Sequence, residues 1–180
     1  MPCLYHIKKE FMKNLDKYIL GETDQSFTCT TKEENQQIAV AMIQQTELYL
    51  DILSPDFEPA IYDNDSCYEA IENLALRSRH SQIRILLHDG RKPAQRGHKI
   101  IQLAKRLSGL IQFRNIPDIY RNKTDTFLIA DRIGIIQRTE APQKSKVHFK
   151  NWPKIKPILK DFNDIWEESE PNPEVRTYII

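Results

Sequence analysis

The chain has 180 residues, 40% of them apolar, and only five glycines, so it is long enough to bury a core as one domain. A formal net charge of +1 at pH 7 excludes a uniformly basic nucleic-acid binder. Three cysteines, Cys3, Cys29 and Cys67, have neither CxxC nor zinc-ligand spacing and read as free thiols of a reducing compartment.

The N-terminus lacks the continuous apolar core of a signal peptide, and no run of eighteen apolar residues occurs. The expectation is a cytoplasmic protein with no membrane partner. The charges are segregated. From Glu47 through Asp51, Asp56, Glu58, Asp63, Asp65 and Glu69 to Glu72 there is no lysine or arginine. From Arg77 to Lys123 the sign reverses, opposed only by Asp89 and Asp118, and acid returns from Asp161 to Glu174.

In chain order, Leu4, Ile7, Phe11, Leu15 and Ile19 form one apolar stripe, which predicts an N-terminal helix ended by Gly21. Thr31 and Glu34 have capping-box spacing and start a helix that carries Ile38, Ala41 and Met42 inward and stops near Thr46. "ELYLDIL" is the first core strand, ended by the rigid "SPDFEP". Ser66 and Glu69 suggest a second capping box and a helix to about Ser78 with Ile71, Leu74 and Ala75 buried. The chain returns as the strand "IRILLH" and continues in a helix from about Gln95 to Leu107. It then gives the strand "LIQFR", followed by a hairpin of "DTFLIAD" and "IGIIQR". Ile155, Ile158, Leu159, Phe162, Ile165 and Trp166 mark an amphipathic helix begun by Pro153 or Pro157. Trp152 and Trp166 read as packing residues, and "EPNPEV" reads as a loose tail. Strands alternating with helices predict an α/β fold with a largely parallel, mixed sheet flanked by helices.

In such sheets ligands gather beyond the carboxyl ends of the strands. His88 and Asp89 fall at such an end. At 100° per residue Arg96 and Gly97 lie near the buried side of the following helix, while His98 points to water. One reading is an anion site formed by the helix N-terminus, Arg96 and Arg91 beside His88. The other is a hydrogen-bonded His88–Asp89 pair inside a solvated rim. No metal site is expected, because His6, His80 and His148 lack partners at ligand spacing. "GRKPAQRG" lacks the ending of a P-loop. Cys67 at a helix N-terminus would have a lowered thiol pKa, but it has no histidine partner in sequence. No cofactor is expected.

The order of elements resembles one repeat of the phospholipase D-like fold, through "ELYLDILSPDFEP", "IRILLHD", "TDTFLIADRIGIIQR" and "ILKDFNDIWEES". It looks most like a proteobacterial, that is bacterial, branch often attached behind a GNAT-type acetyltransferase domain. The resemblance implies an N-terminal helical extension over 1–27, the phospholipase D-like domain over 28–170 and a tail over 171–180. Active members carry a His-x-Lys-x4-Asp motif in two copies, which single-repeat members bring together as a homodimer. Aligning the motif aspartate with Asp131 puts Thr124 in place of the histidine nucleophile and Thr126 in place of the lysine, with Arg138 and Thr139 at the usual Gly-Ser step. A threonine hydroxyl lacks the near-neutral pKa of imidazole, so phosphodiester cleavage is expected to be lost.

Three functions follow from these readings. The first is a non-catalytic module binding a phosphate-bearing ligand or nucleic acid through a basic face of His88, Asp89, Arg91, Arg96, Arg114 and Arg138. The second is an interaction module, homodimeric or serving an acetyltransferase partner, in which the acidic blocks meet the basic block of a second copy. The third is a phosphodiesterase with relocated catalytic residues, His88 among them.

Overall fold

Thr31 caps the first long helix as its spacing with Glu34 predicts. Its hydroxyl accepts from Glu34 N at 3.1 Å, and the Glu34 carboxylate accepts in return from Thr31 N at 3.2 Å. The computed structural model describes residues 15–123, 125–138 and 144–175. In chain order these give β1 (Ser26–Cys29), α1 (Lys32–Gln45), β2 (Tyr49–Ser54), α2 (Pro59–Tyr62) and α3 (Asp65–Arg77). There follow β3 (Gln82–Leu87), α4 (Arg91–Gln95), α5 (Lys99–Arg106) and β4 (Ile111–Asn115). The last elements are β5 (Phe127–Ala130), β6 (Gly134–Arg138), β7 (Ser145–His148), α6 (Trp152–Glu168) and β8 (Glu170–Pro171).

The strands form a single sheet in the order β1-β7-β6-β5-β2-β3-β4-β8. Only β2, β3 and β4 run parallel to their neighbours, and every other pairing is antiparallel. Parallel strands need crossovers, and α3 with α5 supplies them on one face. That face buries Leu50, Ile52, Ile83, Ile85 and Phe113 of the sheet against Ile38, Ile71, Leu74 and Leu103. On the other face α6 lays Ile155, Leu159, Phe162, Ile165 and Trp166 over Leu53, Leu86, Ile129 and Ile135. Central strands with both faces covered read as continuous apolar runs. This is why β2 is buried from Leu50 to Ser54 instead of alternating.

Several expectations are corrected. The N-cap of α3 is Asn64, whose side chain accepts from Cys67 N at 2.9 Å, two residues before the Ser66 that the spacing suggested. The helix expected from Gln95 to Leu107 is the shorter α5, which a break separates from α4 ending at Gln95. Gly97 sits there at φ 70° with open space around it, so it serves the left-handed backbone and not a close helix-to-sheet approach. His98 therefore turns inward as the N-cap of α5. It is fully buried and packs on Phe57 with ring centroids 4.7 Å apart, where helical phase had sent it to water. Pro153 lies in the first turn of α6 and Pro157 inside that helix. The edge strand β1 and its neighbour β7 were not foreseen, and the segment expected to be a loose tail pairs with β4 through Glu170 and Pro171. The apolar stripe from Leu4 to Phe11 lies outside the described residues. No helix among the described residues is long and apolar enough to cross a membrane.

Candidate functional site

The acidic and basic blocks meet within the chain. Consecutive parallel crossovers bring the β2–α3 region beside the β3–α5 region, and the oppositely charged side chains pair across them. Arg96 bonds Asp56 at 3.2 Å, Lys99 bonds Asp65 at 2.5 Å, and Arg106 bonds Glu72. These exposed pairs are individually worth little. They nevertheless occupy charges that a second copy had been expected to meet.

Two arginines of the basic block belong to the opposite face. Arg84 reaches Asp51 at 2.6 Å beneath α6, with its guanidinium 4.9 Å from the centre of the Phe162 ring. Arg114 donates to Trp166 O at 2.7 Å and Ser169 O at 3.3 Å while lying 4.5 Å over the Trp166 ring. Planar guanidinium suits both tasks, bonding in its plane and stacking through its face. Arg114 thus secures the end of α6.

Of the positions expected for the motif, Thr126 and Asp131 fall at opposite ends of β5. Thr126 is buried just before β5, next to a narrow hollow lined by Asn35, Tyr62, Ile136 and Arg138. Arg138 bonds Glu58 at 3.0 Å. Burial raises the Glu58 carboxyl above its usual range against the pull of Arg138. Among the described residues no histidine or lysine lines this hollow. Thr124 and Thr139 lie outside the described residues. Asp131, five residues of extended chain away from Thr126, is about 17 Å distant. It sits at φ 46° in the β5–β6 turn, and its carboxylate accepts from the backbone N–H groups of Glu47, Leu48 and Tyr49 at 2.6, 2.9 and 2.9 Å. There it ties the hairpin to the start of β2.

A hollow opens beyond the carboxyl ends of β3 and β4. It is a cleft of about 660 Å³ lined by His88, Asp89, Arg91, Asn115, Asp118 and Arg121, among others. Each wall follows from the strands. His88 is the residue after β3, and Asp89 N donates to Pro55 O at 3.1 Å. Ile116 N donates to Leu87 O at 2.9 Å, which carries the chain from β4 into the turn holding Asp118 and Arg121. Pro173 and Glu174, just after β8, close the third side. Burial, with Arg121 adding its charge, holds the His88 imidazole below its ordinary pKa, so at neutral pH it is uncharged. Arg91 pairs with Asp89 at 3.4 Å and Arg121 with Asp118 at 2.8 Å, and both guanidiniums are mostly exposed.

The structure therefore gathers His88, Asp89 and Arg91 into one cleft and leaves Arg96, Arg114 and Arg138 elsewhere. Sequence reading did not single out Asn115, Asp118, Arg121 and Glu174. Asn115 carried one signal, its place directly after the "LIQFR" run, where the structure ends β4. Among the described residues the cysteines, Cys29 and Cys67, are both buried. Burial pushes Cys29 and Cys67 up to about 12, against the lowering that a helix N-terminus suggested for Cys67. Among the described residues no three metal-ligating side chains gather.

The fold is similar to that of several solved proteins. TrmBL2, an archaeal chromatin protein described as showing a novel mode of DNA binding, superposes with a TM-score of 0.61 at 18% identity over 93% of this chain. This chain spans 62% of that protein's length. Nuc, a phospholipase D family member from Salmonella typhimurium, gives 0.57 at 13% identity, over 82% of this chain and 99% of Nuc. NucT from Helicobacter pylori gives 0.58 at 10% identity, over 82% of this chain and 99% of NucT. At such identities the likeness is one of fold, and the fold is phospholipase D-like. No curated protein matches the sequence. Residues 31–178 match the family described as Domain of unknown function (DUF7931), and the chain belongs to that family.

Proposed function

We propose that the chain is a non-catalytic module of the phospholipase D-like fold that holds a phosphate-bearing ligand in the cleft beyond β3 and β4. The observation that carries this reading is the convergence there of His88, Arg91 and Arg121 around about 660 Å³. Ligand sites of open α/β sheets favour this position. The two guanidiniums are themselves mostly exposed and pair with the half-buried Asp89 and the exposed Asp118, and such surface pairs cost little to open. A phosphate would accept charge-assisted, bidentate hydrogen bonds from both. A neutral His88 would supply a further hydrogen bond and gain a proton as the anion binds. The DNA-binding chromatin protein among the fold's neighbours agrees with nucleic acid as one such ligand.

The test is a titration with inorganic phosphate followed by calorimetry, and with a labelled oligonucleotide followed by anisotropy from low to moderate salt. Binding should weaken steeply with salt, as counterion release requires. The double variant Arg91→Glu with Arg121→Glu should lose at least about tenfold in affinity. Unchanged affinity in that variant, or no binding even at low salt, overturns the reading. Phosphodiesterase turnover that disappears in His88→Ala would instead make the cleft catalytic. The homodimer and the acetyltransferase partner implied by the family resemblance are separate proposals, tested by light scattering and by co-purification.

A further inference from the structure

Phosphate alone does not account for the charges of the cleft beyond β3 and β4. Its lining sets three carboxylates, Asp89, Asp118 and Glu174, against two guanidiniums, Arg91 and Arg121, with His88 uncharged at neutral pH. The carboxylates come from separate walls: Asp89 follows β3, Asp118 lies in the turn after β4, and Glu174 follows β8. Asp89 holds Arg91 at 3.4 Å and Asp118 holds Arg121 at 2.8 Å. Glu174 is exposed and makes no ion pair among the described residues. Lys92, whose charge also acts on Asp89, does not line the cleft.

A phosphate that draws both guanidiniums to itself leaves Asp89 and Asp118 unmatched beside Glu174. The bound anion then lies among carboxylates, and like charges a few ångströms apart repel even in water. A cationic group carried by the ligand restores the balance. A metal ion would need several of the carboxylates as ligands at once, and among the described residues no three metal-ligating side chains gather. An ammonium group pairs with a single carboxylate. The lining is also unlike a groove for single-stranded nucleic acid. Among the described residues it holds no phenylalanine, tyrosine or tryptophan on which a base could stack, and its carboxylates would repel further phosphates. At about 660 Å³ the cleft has room for an organic group joining phosphate to ammonium.

We infer that the ligand of this cleft is a phosphate monoester that also carries an ammonium group. A monoester bears nearly two negative charges at pH 7, which the guanidiniums of Arg91 and Arg121 match. The ammonium pairs with Glu174 and with the Asp118 that Arg121 releases. This inference rests on the phosphate-binding reading of the same cleft and adds the class of ligand.

Calorimetric titration with aminoalkyl phosphates of two to five carbons, each beside the n-alkyl phosphate of the same length, separates the two readings. At one or more of these lengths the aminoalkyl phosphate should bind about tenfold or more tighter, the gain of one charge-assisted pair. The double variant Asp118→Asn with Glu174→Gln should abolish that difference. It should bind the plain alkyl phosphates at least as tightly as the parent does, because it removes negative charge, and this retained binding shows that the variant is folded. If aminoalkyl and alkyl phosphates bind alike at every length, or the double variant keeps the preference, the ammonium contact is refuted while the phosphate site stands. A labelled oligonucleotide that binds more tightly than every aminoalkyl phosphate at moderate salt refutes it in favour of a polyanion. If no phosphate binds, both readings fall.

Discussion

Replacing Asp131 tests whether this residue is a structural clip or the relic of a catalytic motif. Its carboxylate accepts three backbone N–H groups at the start of β2, from Glu47, Leu48 and Tyr49, and its backbone is left-handed at φ 46°. Each hydrogen bond to a charged acceptor is worth about 1.5 kcal/mol when sheltered. Glu47 is exposed and Leu48 and Tyr49 half-buried, so water replaces part of what is lost. About 2–3 kcal/mol for the three bonds together is the reasonable scale. Alanine adds about 1 kcal/mol for the left-handed backbone. Asp131→Ala should therefore cost about 3–4 kcal/mol. Asp131→Gly removes the bonds but tolerates the φ and should cost about 2–3 kcal/mol. Asp131→Asn tolerates the same φ and keeps the oxygen that serves Leu48 and Tyr49, so it should cost only about 1 kcal/mol. Urea unfolding followed by circular dichroism reads the series. With a slope of about 2 kcal/mol per molar, alanine lowers the midpoint by roughly 1.5–2 M. Equal losses in the alanine and asparagine variants, or an alanine variant within about 0.5 kcal/mol of the parent, would refute the clip.

The buried imidazoles set a pH dependence. Burial holds His88, His98 and His148 below the ordinary histidine pKa, near 6.5, with Arg121 adding to the effect at His88 and Lys154 with Lys146 at His148, while Asp63 opposes it at His98. Below about 6.5 the unfolded chain takes up protons that the folded chain refuses, so each contributes stability at neutral pH that is lost as pH falls through that value. Asp51 and Glu58, raised by burial, work in the opposite sense. The comparison that isolates one group is His98→Asn, which keeps a side chain suited to the N-cap of α5. Its loss of stability between pH 7.5 and 5.5 should be smaller than the parent's, and equal slopes in urea titrations would show that His98 does not titrate as described. Arg114→Met should cost about 2–3 kcal/mol, because two carbonyls lose their donor and the Trp166 stack is weakened. The same variant should leave phosphate affinity unchanged in calorimetry, in contrast to the Arg91 and Arg121 substitutions.

Elements with a strong local signal were legible in the chain. The capping box at Thr31, the buried runs of β2 and β3, the β5–β6 hairpin and the apolar stripe of α6 all depend on short-range spacing, which a sequence displays directly. The residues at the end of β3 were found for the same reason, since a strand that stops at His88 marks an edge of the sheet. The break at Gly97 was missed because one periodic pattern of apolar residues ran across it, and a glycine at φ 70° outweighed the helical phase. His98 changed sides with that break. The short strands β1 and β7 carry little pattern of their own, and pairing with each other and with β6 makes them strands.

By itself the sequence determined the alternation of strands and helices and the candidacy of His88, Asp89 and Arg91. Only the tertiary structure decided where the charges go. It turned Arg114 under α6, set Arg96 on Asp56 and Arg138 on Glu58, and brought His88, Asn115, Arg121 and Glu174 from separate segments to one cleft. The reason is physical: helix and strand signals are local, whereas an ion pair or a cleft joins side chains distant in sequence, and their meeting is fixed by strand order and crossovers that no short window contains.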